Sequence, residues 1–233
     1  MEHRRAWLDE RRAAAQDRFD RVYAPTYDAD DTPISPTHRR FIDRLIESVP
    51  PGGTILDAPC GTGRYFDLVL DAGRQVVGAD QSAGMLAQAR ARYPDVPLEK
   101  IGLQELAFRS AFDAVLCVDS MEFVSPEDWP LVLANLRRAV RPGALLYLTV
   151  EQIAAAEIDR AFEAWTAEGL PVASGETPRG GGYHFYPSVA QVDAWLAAAR
   201  LAIVDEGRSD GRNYWYRHLL LQRRPDPYEI TKA

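Results

Sequence analysis

Thr54-Ile55-Leu56-Asp57-Ala58-Pro59-Cys60-Gly61-Thr62-Gly63 is the stretch that decides the fold. An apolar strand runs into an acid, then into a tight glycine turn that opens a helix. The next strand, Val76-Val77-Gly78-Ala79, ends on Asp80. Glycine lets the backbone approach a ligand closely and take φ angles that other residues avoid. A carboxylate at the end of the second strand is placed to accept hydrogen bonds from both hydroxyls of a ribose. Together they imply a nucleoside-containing ligand lying across the carboxyl ends of a parallel sheet.

Two ligand classes fit, and the neighbouring residues separate them. The dinucleotide fingerprint requires G-x-G-x-x-G, its third glycine allowing close helix–strand packing. Here Gly61-Thr62-Gly63-Arg64-Tyr65-Phe66 puts Phe66 at that third position. Asp57 at the mouth of the turn would also repel a pyrophosphate, whereas it would attract an ammonium group. S-adenosylmethionine carries an ammonium and a ribose and has no phosphate, so it fits better than NAD.

Beyond the turn, the chain resembles the class I S-adenosylmethionine-dependent methyltransferases over roughly residues 50 to 150. Leu56 to Gly63 is similar to their first motif, and Gly78-Ala79-Asp80-Gln81-Ser82-Ala83-Gly84-Met85-Leu86 to the second-strand motif. Gln104 to Phe108 and Phe112 to Cys117 match the third- and fourth-strand region. Leu136 to Leu146, with Arg141-Pro142-Gly143 inside it, matches the helix, turn and fifth strand. The resemblance implies an α/β fold: a doubly wound, mostly parallel seven-stranded sheet with helices on both faces and a last antiparallel strand. It also implies S-adenosylmethionine as cofactor and a small-molecule methyl acceptor.

Composition agrees with a cytoplasmic enzyme. The 233 residues suffice for one α/β domain with insertions, and 46% hydrophobic content supports a full core. A net charge of −7 disfavours nucleic acid, which attracts basic surfaces. Arg4, Arg5, Arg11 and Arg12 are interleaved with Glu2, Asp9 and Glu10, which reads as a solvated helix face. Cys60 and Cys117 lack disulfide or metal-ligand spacing, so no metal is expected. The start lacks an apolar targeting core, and no apolar run is long enough to span a bilayer.

Along the chain, residues 1–50 are expected to form an N-terminal helical cover and 51–233 the cofactor-binding domain. The cover holds an amphipathic helix to residue 22 and a second from His38 to Val49, where Phe41, Ile42, Leu45 and Ile46 have helical spacing. Ser82 is expected to cap the helix to Tyr93, and Ser125-Pro126-Glu127-Asp128 to start another. Residues 151–187 interrupt the strand–helix alternation and read as a lid-like insertion. They contain a helix from Gln152 to Glu168, then a Gly- and Pro-containing segment with Gly180-Gly181-Gly182 as hinge and Tyr183-His184-Phe185-Tyr186 at its end. Ser188 then caps a helix with Val189, Val192 and Leu196 on one face. Leu201–Glu206 and Tyr214–Gln222 close the sheet as a hairpin.

The resemblance assigns cofactor binding to Asp57, Cys60, Gly61 and Gly63 at the methionine end and to Asp80 at the ribose. Gln81, Met85, Gln104, Glu105 and Val118 fall at the adenine side and the end of the fourth strand. One departure stands out: Gly102 occupies the position where related sequences commonly carry an acid for the adenine amino group. Methyl transfer from an activated sulfonium needs alignment, water exclusion and sometimes a base. Candidates for the base are Asp119 and Glu122 after the fourth strand, Glu151 after the fifth, and His184 in the aromatic segment. Tyr23, Tyr27, Tyr183, Phe185 and Tyr186 are candidates for an aromatic chamber. Competing readings are a non-catalytic cofactor-binding or regulatory protein and an NAD-dependent oxidoreductase.

Overall fold

The structure, a computed structural model, describes residues 2–29, 33–179 and 182–225. A seven-stranded sheet forms its centre, ordered β3-β2-β1-β4-β5-β9-β8. Strand β1 (Thr54–Asp57) lies between β2 (Gln75–Asp80) and β4 (Phe112–Cys117), and β3 (Leu98–Lys100) forms one edge. Strand β5 (Val140–Gln152) pairs parallel to β4, and β9 (Trp215–Arg223) runs antiparallel to both β5 and β8 (Leu201–Asp210). The expected doubly wound sheet with its last strand antiparallel is the one observed.

Helices cover both faces because the central strands are apolar on both sides, as parallel strands buried between helical layers must be. Side chains alternate along each strand. Leu56, Val115, Cys117, Leu146, Leu148 and Leu219 join one core, with α5 (Trp129–Ala139) and α7 (Val189–Ala198). Ile55, Ala114, Leu116, Val118, Tyr147 and Leu220 join the other, with α2 (Pro36–Glu47), α3 (Phe66–Asp71) and α4 (Ala83–Arg92). Residues 1–50 are therefore not one cover. Phe41, Ile42 and Leu45 of α2 are fully buried against the sheet, so α2 belongs to its helical layer. The cover consists of α1 (Glu2–Arg18) and the π-helical turn Phe19–Tyr23 that follows it.

Residues 151–187 also differ from the expectation. Strand β5 runs on to Gln152, and the helix α6 is confined to Ala155–Ala167. Behind it, β6 (Glu176–Arg179) and β7 (Gly182–Phe185) form a two-stranded antiparallel sheet. This unit props α1. Trp7 packs edge-on against Trp165 and Tyr183, and Arg4 reaches the buried Glu176 at 2.9 Å. Gly180 and Gly181 of the expected hinge lie outside the described residues. Two boundaries and one burial differ as well. The helix expected from Ser125 begins at Trp129, because Pro130 has no N–H and must sit in the first turn. Val189 is exposed, while Val192 and Leu196 are buried. Strand β8 continues to Asp210, shortening the loop before β9.

Candidate functional site

A cavity of about 400 Å³ opens at the carboxyl ends of β1, β2 and β4, the place where open α/β sheets bind ligands. At one end lie Asp80, Gln81, Met85 and Ile101 to Gln104, and at its middle Pro59 to Gly61 with Val118 and Asp119. At the other end stand Ser35, His38, Tyr65, Tyr214 and Tyr216, with Phe19, Tyr27 and Phe123 closing the wall.

Asp80 organises the first end. One carboxylate oxygen accepts the Gly61 N–H at 2.9 Å and the other the Ser82 N–H at 2.8 Å. The acid thus ties the glycine turn to the start of α4, and each oxygen keeps a lone pair for the cavity. Burial raises its pKa, opposed by these backbone bonds. Ser82 caps α4 as expected, accepting the Met85 N–H. Gly61 (φ 53°) and Gly63 (φ 82°) take the left-handed conformation that favours glycine. Phe66 shows why a dinucleotide turn is absent: its ring fills the space beside Gly63 and Gly78, where added Cβ atoms would each come within 2.8 Å of it.

Asp57 does not reach the cavity wall. It is buried at the end of β1, and neither carboxylate oxygen has a hydrogen-bond partner among the described residues. Burial, then the nearby Asp80 charge, pushes its pKa well above the usual carboxylate range. Such an acid is stabilised by a cation placed close to it. A ligand bearing an ammonium or a sulfonium over the turn supplies one, so the residues present fit S-adenosylmethionine.

The cover reaches this end of the cavity. Arg12 from α1 holds Glu105 at 2.6 Å and 2.5 Å and reaches Gln81 at 3.3 Å. Glu105 is therefore turned toward Arg12 and is not on the cavity wall; this ion pair lowers its pKa. A Cβ at Gly102 would meet the Arg12 guanidinium and the Glu105 carboxylate, the far ends of two flexible side chains that can shift. Asp20, following α1, accepts from the Ser82 hydroxyl at 2.6 Å and the Gly84 N–H at 2.9 Å, and Asp28 accepts from the Thr62 hydroxyl at 2.9 Å.

The other end holds Asp119, one of the expected base candidates, together with His38 and Thr149, which sequence reasoning missed. Asp119 has a left-handed backbone (φ 50°), which Thr149 stabilises twice. The Thr149 hydroxyl accepts the Asp119 N–H at 2.7 Å and donates to Asp119 Oδ1 at 3.2 Å. His38 Nε2 lies 3.1 Å from the same Oδ1, and its Nδ1 lies 2.7 Å from Ser35 Oγ. A neutral ring that donates from Nε2 and accepts the Ser35 hydroxyl proton at Nδ1 satisfies both contacts. Ser35-Pro36, a helix cap followed by a first-turn proline, marks where α2 begins but not what residue 38 faces.

A model of the methyltransferase-domain family matches residues 55–143. Demethylmenaquinone methyltransferase of Renibacterium salmoninarum is 34% identical over 146 residues, covering 61% of this chain and 60% of that protein. Malonyl-[acyl-carrier protein] O-methyltransferase of Serratia marcescens is 31% identical over 120 residues, covering 49% of this chain and 44% of that one. The chain thus spans about half the length of the curated relatives it matches. Magnesium protoporphyrin IX methyltransferase of Synechocystis PCC 6803, solved with bound SAH, superposes with a TM-score of 0.67 at 18% identity, covering 91% of this chain and 99% of that one. Residues 55–143 thus match a methyltransferase domain, in a chain whose fold is that of solved methyltransferases.

Against the family's motifs, the cavity collects Cys60, Gly61, Asp80, Gln81, Met85, Gln104, Val118 and Asp119 from the expected set. Asp57, Gly63, Glu105, Glu122 and His184 lie off its wall. His184 stands behind the wall, its ring 4.9 Å from Phe123 and stacked parallel to Tyr186 at 6.0 Å. Glu122 and Glu151 are buried. After burial itself, the charges of Glu122, Asp119 and Glu151 raise the pKa of the Tyr216 hydroxyl. The expected aromatic chamber is drawn from different residues. Tyr27 lines the cavity, but Tyr183 packs on Trp7 and bonds Glu176, and Phe185 and Tyr186 are buried in packing. No group of three His, Cys, Asp or Glu residues placed to hold a metal occurs among the described residues.

Proposed function

We propose that this chain moves a methyl group from S-adenosylmethionine to a small-molecule acceptor. Bound S-adenosylmethionine supplies a methyl carbon already activated by a sulfonium. Asp80 holds the ribose, Met85 and Gln104 with the backbone near Leu103 border the adenine, and the Pro59–Gly61 turn faces the methionine end, with Asp57 behind it. The acceptor sits beyond Val118, among Asp119, His38, Tyr65 and Tyr216.

One observation carries this reading. A ribose-reading carboxylate and a buried, partnerless one flank the same glycine turn, and Phe66 fills the space a dinucleotide turn would need. A cytoplasmic setting agrees with two free, buried cysteines, Cys60 and Cys117. No helix of the described residues is long and apolar enough to cross a membrane. Calorimetric titration tests the reading: S-adenosylmethionine and S-adenosylhomocysteine bind, and NAD does not. Binding of NAD with no response to either sulfur compound overturns it.

A further inference from the structure

The acceptor end contains a polar device that cofactor binding does not use. Asp119 stands at the end of β4 in a left-handed conformation uncommon for residues other than glycine, although Asp tolerates it better than most. Such backbones persist where the surroundings over-determine them, and they cluster at functional sites. Here Thr149, fully buried on β5, fixes both the backbone N–H and Oδ1. His38 on α2 also contacts Oδ1, and Ser35 holds His38. The two contacts to the carboxylate itself, from Thr149 and His38, both fall on Oδ1. Among the described residues, Oδ2 has no hydrogen-bond partner, and the side chain is 36% exposed on the cavity wall. A carboxylate held this firmly by one oxygen presents the other as a fixed acceptor.

We propose that Asp119 Oδ2 accepts the proton of the methyl acceptor, and that the acceptor is a neutral hydroxyl carried on a flat aromatic body. This rests on the methyl-transfer reading above and names its substrate class. Oδ2 can only accept, so the acceptor must bring a hydrogen to it. An acceptor that is itself a carboxylate is repelled by Asp119. An alkylamine arrives as an ammonium, and a carboxylate partner keeps it protonated, without the lone pair that attack requires. A hydroxyl keeps its lone pairs while donating to Oδ2. The flat body follows from Tyr27, Tyr65, Phe123, Tyr214 and Tyr216, which offer ring surface to the same space. As the oxygen takes the methyl group, its O–H proton passes to Oδ2 and the former carbon–sulfur pair stays on sulfur. The partly exposed Asp119 then returns the proton to water. Asp119 is the catalytic residue of this scheme; His38 and Thr149 are positioning residues.

The test uses the whole chain at neutral pH, saturated with S-adenosylhomocysteine, whose binding is measured in every sample. The probes are 2-naphthol, 2-naphthoate and 2-naphthylmethylamine. The native protein binds 2-naphthol at least about tenfold more tightly than 2-naphthoate. Asp119→Asn keeps the left-handed backbone accessible but turns a donor toward the ligand. In it, 2-naphthol binding weakens about tenfold or more and the preference over 2-naphthoate disappears, while S-adenosylhomocysteine affinity is unchanged. With S-adenosylmethionine, naphthyl methyl ether forms in the native protein and about a hundredfold more slowly in Asp119→Asn. If S-adenosylhomocysteine binds and 2-naphthol does not, the acceptor class is wrong. Equal 2-naphthol affinity in Asp119→Asn, or faster methylation of the amine than of the naphthol, also overturns the proposal. Loss of S-adenosylhomocysteine binding in the native protein would instead sink the methyl-transfer reading itself.

Discussion

Arg12 and Glu105 form an ion pair that joins the N-terminal helix to the end of the cavity where Gln81 lies. Both side chains are partly exposed, so the pair contributes at most about 1 kcal/mol to global stability. Its effect is local, because Arg12 is also part of the cavity wall.

Replacing Arg12 by Ala should therefore speed cofactor release with little change in melting temperature. We expect the dissociation constant of S-adenosylhomocysteine to rise about three- to tenfold, mostly through the off-rate. Stopped-flow displacement measures this. An unchanged off-rate would mean that α1 is a fixed wall and gates nothing.

Asp80→Ala should cost more, because it removes the ribose acceptor and frees the N–H groups of Gly61 and Ser82 together. Hydrogen bonds to a charged group are worth about 1.5–3 kcal/mol each, so cofactor affinity should fall at least roughly ten- to a hundredfold. Circular dichroism should show a folded protein. If calorimetry gives a native dissociation constant, Asp80 serves only to join the turn to α4.

The cofactor half of the site was legible in the sequence because it is built from contiguous residues. The strand ends, the glycine turn and the cap at Ser82 are local patterns, and the fold fixes what they face. Of the acceptor half only Asp119 was legible, because its neighbours His38, Thr149 and Tyr216 come from other elements and meet it only in the folded sheet. Residues 151–187 read as a lid from an aromatic cluster after a glycine run, and their partners are Trp7 and Arg4 of α1. Nothing local to either segment encodes that pairing. Glu105 was placed at the adenine because its partner Arg12 lies in a segment whose charges read as solvated.

His184→Gln should leave the dissociation constant of S-adenosylhomocysteine within about twofold of the native value, and turnover likewise. The imidazole sits behind Phe123 and off the cavity wall, so it lacks the hydrogen-bond reach that a base needs. Phe123→Ala is the contrasting variant, since it removes wall surface. A hundredfold loss of turnover in His184→Gln with normal cofactor affinity would restore His184 as the base.

Asp57→Asn should make the unliganded protein more stable at neutral pH and weaken its grip on the cofactor. A carboxyl whose folded pKa is raised binds its proton more tightly in the folded state. Its favourable contribution is present at low pH and is lost as pH rises through the ordinary carboxylate range toward the raised folded value. The amide removes that loss and also removes the charge that attracts a sulfonium or ammonium. Melting temperature at pH 7 should rise, while S-adenosylhomocysteine affinity falls about tenfold or more. A variant that binds as well as the native protein would show that the turn alone holds the methionine end.

His218 should make the fold acid-sensitive in the opposite direction. Its ring is fully buried, with Nδ1 2.6 Å from the Tyr147 hydroxyl and Nε2 2.7 Å from Ser209 Oγ. It stacks on Phe41 and Tyr147 and meets His38 edge-on at 4.6 Å. Burial, then the neighbouring His38, lowers its pKa to about 4; Asp119 acts weakly the other way. The unfolded chain, with an ordinary histidine near 6.5, then binds more protons between those two values. Stability is therefore intact above about pH 7 and declines as pH falls from about 6.5 toward 4, by roughly 2–4 kcal/mol. In His218→Gln this component vanishes, while Asp57 and the other carboxylates titrate as before. The stability gap between native and variant should thus narrow steadily on acidification, as urea titrations at a series of pH values would read directly. Parallel curves across that window would mean that the buried ring accepts its proton without cost.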